Sequence, residues 1–173
     1  MDLFECIKTR LTVRQFKSDP IPVSIVERLL EAGRWSPSSR NQQPWHFIVI
    51  KDKNTLQDIG AIASSGRFVA DAPLAIAIAM EKNADSPALD AGRALQQMEL
   101  VAWAEGMGTC FVGLETGQEN MQVKTRLGIP NDLDLITILP FGYRSGRSRS
   151  ARKDRKALTR LAHSERFGNT YSG

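Results

Sequence analysis

The 173-residue chain carries only two cysteines and two histidines. Cys6, Cys110, His46 and His163 stand far apart, so neither a close-spaced zinc-ligand pair nor a disulfide framework is expected, and a reducing cytoplasm fits. Long hydrophobic runs are absent too: the longest nearly continuous one, Ala72 to Met80, covers less than half of a bilayer-spanning helix. The opening Met1-Asp2-Leu3-Phe4-Glu5 has neither a basic flank nor an apolar signal segment, so neither secretion nor membrane insertion is expected. The familiar nucleotide motifs are missing. Gly106-Met107-Gly108 lacks a third glycine and follows a helical pattern rather than a strand, and Gly108 to Gly113 has no Lys-Ser/Thr after it. No Gly-x-Ser-x-Gly elbow occurs, and neither histidine has a nucleophile at motif spacing. His46, beside Trp45 in an apolar run, reads as structural.

What is present suits one soluble core: 42% of residues are apolar and 24% charged, which predicts a single domain over 1–173. The net charge of +4 is local. Seven Arg or Lys and one Asp fall between Arg144 and Lys156, and the remainder is slightly acidic. One short basic cluster fits a bound phosphate, a partner contact or a solvated tail equally well.

Periodicity predicts a first helix after Asp2, which with Glu5 forms a capping pattern and sends Leu3, Phe4 and Ile7 to the core. A second runs from about Ser24, boxed with Glu27, to Gly33. Trp45 to Ile50 is an expected strand, followed by a short helix capped by Asn54, and Leu74 to Met80 is the next strand. From about Ala91 to Glu105 the apolar stripe leaves out Leu100 and Trp103, so that helix should be buried on both sides, with Gly106 ending it. Cys110 to Val112 as a short strand, a helix over Gln118 to Leu127, a strand over Leu135 to Phe141 and a helix over Leu158 to Glu165 complete the expectation. Helices interleaved with single strands indicate α+β or a three-layer sandwich.

Three segments carry chemistry. Arg10-Leu11-Thr12-Val13-Arg14 places two guanidiniums and a hydroxyl on one face of an extended chain, a clamp suited to phosphate, although a helix end favouring bases reads the same way. Ser36 to Trp45 is a loop of amides and hydroxyls stiffened by proline, able to meet a flat polar heterocycle. Arg152-Lys153-Asp154-Arg155-Lys156 can deliver cations from the far end of the chain to the same phosphate.

Taken together the chain resembles the FMN-dependent nitroreductase family in its short form, over nearly its whole length. The opening Arg-x-Ser-x-Arg/Lys pattern matches Arg10, Thr12 and Arg14, and the Pro-Ser-Ser-x-Asn-x-Gln-Pro-Trp loop matches Pro37 to Trp45. Phe68 to Pro73, Asp90-Ala91-Gly92, Gly106 to Gly113, Leu127 to Pro130, Gly142-Tyr143 and the Lys153/Arg155 pair follow in the family's order. Departures are Thr12 for the usual Ser, Leu11 where a second Arg is frequent, and Arg144 where proline commonly stands.

The resemblance implies an α-β-α sandwich with a mainly antiparallel sheet, assembled as a homodimer with FMN in clefts between subunits. It assigns Arg10, Thr12, Arg14, Lys153 and Arg155 to the phosphate and ribityl end, and Pro37, Ser38, Ser39 and Asn41 to contacts from the other subunit. Backbone groups around Val112 and Gly113 are implied to line the ring. NADH or NADPH would be the transient donor and a nitroaromatic, quinone or enal the acceptor, by ping-pong exchange with no catalytic side chain and no metal. The same flavin could serve other reactions, since fold does not decide substrate. A different class remains open: a flavin-free module whose Arg144 to Lys156 arm contacts nucleic acid or a partner, against which Phe141 and Tyr143 form no stacking series with the basic residues.

Overall fold

A computed structural model describes residues 2–145 and 153–171. Helix α1, Leu3–Thr9, is capped by Asp2, whose carboxylate accepts the Phe4 and Glu5 N–H groups at 3.1 and 3.4 Å. Its only buried residue is Cys6. Leu3, Phe4 and Ile7, expected in the core, are 65%, 63% and 49% exposed. Periodicity shows which residues share a helix face but not what covers that face.

Helix α2, Val23–Arg34, starts directly after Pro22 with no side-chain cap, so the Ser24 box is not formed. Strand β1 is Trp45–Ile50. Helix α3, Lys53–Ile62, is capped by Asp52 rather than Asn54: the Asp52 carboxylate accepts both the N–H and the hydroxyl of Thr55, each at 2.8 Å. Strand β2 is Leu74–Glu81 and helix α4 is Pro87–Ala104. The latter begins earlier than its apolar stripe because Pro87 sits in the first turn, where its missing N–H costs nothing.

Strand β3 is Met107–Thr109, ahead of the expected Cys110 to Val112, where only Val112 makes an isolated bridge to Ile138. The tight turn at Gly106, φ 78°, returns the chain to the sheet at once. Helix α5, Gly117–Leu127, ends on left-handed Gly128, and strand β4 is Leu133–Tyr143. The expected final helix shrinks to a 3₁₀ turn at Leu158–Arg160, since Leu158 and Leu161 find no core to bury against.

The four strands form an antiparallel sheet in the order β1-β2-β4-β3. Strand β2 divides its bulk between two layers. Leu74, Ile76, Ile78 and Met80 pack with α2 and α4, whereas Ala75, Ala77 and Ala79 pack with α3 and α5. Helix α4 is buried on two sides as expected: Ala91, Ala94, Met98 and Ala102 face the first layer, and Trp103 joins Cys6 and Val13 in a separate cluster.

Between α1 and α2 the chain forms a strap along the open edge of the sheet. Thr12 bridges Thr109, the Val13 N–H donates to the Thr109 carbonyl at 2.9 Å, and the Lys17 N–H donates to Tyr143 at 2.9 Å. Gly108 and Gly142 lie directly beneath Val13 and Phe16, and a Cβ on either would overlap those side chains. Gly108→Ala therefore has to lift Val13 off β3. A loss of about 1–3 kcal/mol is expected from overpacking, read as an earlier urea midpoint with unchanged slope.

Candidate functional site

The strap brings Arg10 and Arg14 to one side of the fold with Lys153 and Arg155. Arg10 closes α1 and reaches Glu99 of α4, Nη1 to Oε2 3.4 Å. Lys153 donates to the Ile7 carbonyl at 3.2 Å, which docks the distant C-terminal segment on α1. Burial lowers the Lys153 ammonium pKa, and the positive charges of Arg10 and Arg155 lower it further. Lys153 thus has two cations acting on it, and no ion pair to an acid is seen for Lys153 or Arg155 among the described residues, while Arg10 pairs with Glu99.

Arg14 stands by Cys110, a thiol that Glu99 also influences. Its guanidinium stands 5.8 Å from the centre of the Phe68 ring and donates to the Cys110 thiol. Burial pushes that thiol up, the Arg14 cation and hydrogen bond oppose this, and the Glu99 carboxylate adds to it. Glu99 is itself raised, because burial outweighs the attraction of Arg10. Thr12, Val13, Arg14, Gln15 and Ser145 line a cavity of about 230 Å³ here. Thr109, under Thr12, buries a hydroxyl with no hydrogen-bond partner.

Val112 is buried, with its N–H on the Ile138 carbonyl at 3.2 Å and its C=O on the Thr137 hydroxyl at 3.0 Å. Both of its backbone groups are spent inside the fold. Ser65 Oγ occupies the Gly113 carbonyl at 2.8 Å, which leaves the Gly113 N–H as the donor of this pair.

The polar loop stands apart. The Ser39 N–H donates to Asp90 Oδ2 at 3.0 Å, and Arg93 pairs with Asp90 Oδ1 at 3.1 Å, so a fully buried carboxylate at the start of α4 anchors the loop. The Gln43 N–H donates to Ser38 Oγ at 2.9 Å, and Gln43 Nε2 donates to Asn41 at 3.3 Å. Arg40, Asn41 and Gln43 have φ of 49°, 57° and 52°, left-handed values that cost non-glycine residues free energy and mark a shape imposed by its surroundings. Pro37 and Asn41 are exposed, Ser38 and Ser39 half-buried. Asp90 and Glu99 are separated by about 14 Å along α4 at about 1.5 Å per residue. Among the described residues no hydrogen bond or ion pair joins the loop to the cation group.

Three groups went unassigned in the sequence: Glu99, Cys110 and the anchoring carboxylate of Asp90. The signal for Glu99 was a lone acid inside Met98-Glu99-Leu100-Val101; the other two are positioned by tertiary contacts alone. The basic stretch is divided. Arg144 bridges Phe16 and stacks its guanidinium 3.9 Å from the Trp103 ring centre, Lys153 and Arg155 join the site, and Arg147, Arg149 and Arg152 lie outside the described residues. His46 faces Glu81 across 3.8 Å beside a separate cavity of about 600 Å³ that contains none of the expected site residues. Among the described residues no His/Cys/Asp/Glu group is placed to hold a metal.

The model of the nitroreductase family matches residues 7–66 and 63–143. A relative from Methanothermobacter thermautotrophicus, whose name pairs NADH dehydrogenase with NAD(P)H nitroreductase, is 30% identical over 148 residues, covering 83% of this chain and 78% of its own. An iodotyrosine deiodinase of Thermotoga neapolitana is 25% identical over 166 residues, covering 82% and 88%. Among solved structures, an FMN-dependent nitroreductase from Clostridium difficile R20291 superposes with a TM-score of 0.87 at 25% identity, covering 95% of this chain and 99% of that one. The chain belongs to the nitroreductase family. It is accordingly an oxidoreductase, carried on an α+β sandwich.

Asp90→Ala removes the acceptor shared by Ser39 and Arg93. A loss of about 1–3 kcal/mol is expected for the stranded donors, with amide exchange at Ser39 accelerating more than in the sheet; equal protection in variant and parent would show that the loop is held by something else.

Proposed function

We propose that this chain passes hydride from NADH or NADPH, through bound FMN, to a small electrophilic acceptor such as a nitroaromatic, quinone or enal, by ping-pong exchange. The observation that carries the reading is the crowding of Arg10 and Arg155 about Lys153, which docks on the Ile7 carbonyl of α1; burial, and after it those two charges, lower the Lys153 pKa. A phosphate dianion relieves it. The donor set fits: guanidiniums supply paired charge-assisted hydrogen bonds, and Thr12 adds a hydroxyl. Arg10, Thr12, Arg14, Lys153 and Arg155 hold the phosphate and ribityl end, and the Gly113 N–H, with Val112 packed behind it, meets the ring. The flavin supplies the capacity to accept and deliver hydride, so no side chain is assigned to that step.

A homodimer in a cytoplasmic setting completes the reading, with the whole chain acting as one unit. A cavity of about 230 Å³ falls below the usual ligand-pocket range of about 300–1,000 Å³. The second wall comes from Pro37, Ser38, Ser39 and Asn41 of another copy, since α4 holds the two halves apart within one chain. Leu3, Phe4 and Ile7 on α1, with Leu158, Leu161 and Phe167 near the other end, leave apolar surface that a second copy covers. No helix among the described residues is long and apolar enough to cross a membrane. Two cations of the arm invoked by the nucleic-acid reading are engaged within the chain, Arg144 on Trp103 and Lys153 on α1.

The purified protein is expected to be yellow, to release FMN on denaturation and to oxidise NADH or NADPH. Arg14→Ala should weaken FMN binding about ten- to a hundredfold, the worth of one charge-assisted hydrogen bond, while hydride transfer at saturating FMN stays near the parent rate. Colourless protein that takes up no added FMN would sink the proposal.

A further inference from the structure

We infer that Glu99 is a built-in counter-anion of the phosphate site: its carboxylate holds the Arg10 guanidinium 3.4 Å away and takes up a proton from solvent when a phosphate claims that guanidinium. The inference rests on the flavin reading above and adds to it a residue that couples binding to proton uptake.

Placement comes first. Glu99 sits between Met98 and Leu100 in the interior of α4, with its side chain only 7% exposed. A carboxylate there loses most of its hydration, and a single ion pair at the edge of hydrogen-bonding distance does not replace it. The charged form is therefore marginal, which agrees with burial raising its pKa more than Arg10 lowers it. Arg10 also stands near enough to Lys153 to help lower its pKa, as Arg155 does, and an anion set among the three would satisfy all of them.

A dianion arriving at Arg10 acts on Glu99 twice, by adding negative charge nearby and by drawing off the cation that kept the carboxylate ionised. Both effects favour the protonated acid. Linkage makes the coupling reciprocal, so protonating Glu99 strengthens anion binding by the same factor. Phosphate affinity should accordingly be greatest where Glu99 is protonated and fall as pH rises through its titration.

The other charged and titratable groups around Glu99 leave it as the principal proton acceptor. Arg10 from the end of α1 and Arg14 from the strap keep their charge at any working pH. Cys110, after β3, has a raised pKa and is already protonated, as a thiol must be to stay neutral. Cys6 of α1 is buried beside Trp103. Helix α2 directs Arg28 to Glu105, 2.7 Å away near the far end of α4. The sheet side of α4 meets apolar residues, among them Ile78, Met80, Leu139 and Phe141. Lys153 is the one competitor, because a dianion would favour its charged form too.

The test is calorimetric titration of FMN into the apoprotein at pH 7.5, above the second phosphate ionisation near 6, in buffers of different ionisation heat. The parent should take up protons on binding. Glu99→Gln should take up fewer and bind FMN about fivefold tighter or more, whereas riboflavin, which lacks the phosphate, should bind parent and variant alike. Lys153→Arg cannot gain a proton, so uptake that persists in it supports Glu99 even if Glu99→Gln does not fold. Uptake abolished by Lys153→Arg, unchanged FMN affinity and uptake in Glu99→Gln, or an equal gain for riboflavin overturns the inference and leaves the flavin reading in place. A parent that binds no FMN overturns both.

Discussion

The contact on which the site depends is steric rather than ionic: Val13 and Phe16 pressed onto Gly108 and Gly142 at the open edge of the sheet. Where those two glycines lack a Cβ, the strap comes close enough for Val13 and Lys17 to donate to Thr109 and Tyr143. Arg10 is then carried to Glu99, and Arg14 to Phe68 and Cys110. A guanidinium on a free loop would lose rotamer entropy each time it met an anion; on the strap that ordering is already part of folding. The far end of the chain arrives at the same place through Lys153 on the Ile7 carbonyl.

Much of the fold was legible because the expected strands coincide with apolar runs bounded by turn residues. Trp45–Ile50 and the core of Leu74–Glu81 were placed closely, and the double burial of Pro87–Ala104 followed from Leu100 and Trp103 lying off its main stripe. Two misplacements share one cause, the limited reach of local pattern, and a third is a choice between neighbouring caps. Leu3, Phe4 and Ile7 share a face yet stay largely exposed, Leu158 starts only a 3₁₀ turn and is itself exposed, and Asp52 outcompetes Asn54 because its carboxylate reaches Thr55 twice.

The site was legible as two halves. The Arg10-x-Thr12-x-Arg14 pattern and the proline-bounded loop stand out by residue type, whereas their separation along α4 is a property of the fold. Glu99 is the instructive omission. A lone acid in an apolar stretch can be noticed in sequence, but only its proximity to Arg10 and its raised pKa give it a role. Val112 is the converse case: the family pattern points to it, yet both its backbone groups are occupied within the protein.

Strand β2 has a consequence for how such a chain diverges. Its bulky residues fill one interlayer space, while to the other it contributes only three methyl groups, those of Ala75, Ala77 and Ala79. On that thin side a larger residue has no room unless Leu56, Ile59, Val123 or Ile138 gives up equivalent volume. Drift across that plane must therefore proceed by matched exchanges between strand and helix, and covarying pairs should concentrate there while the opposite layer trades one aliphatic for another independently.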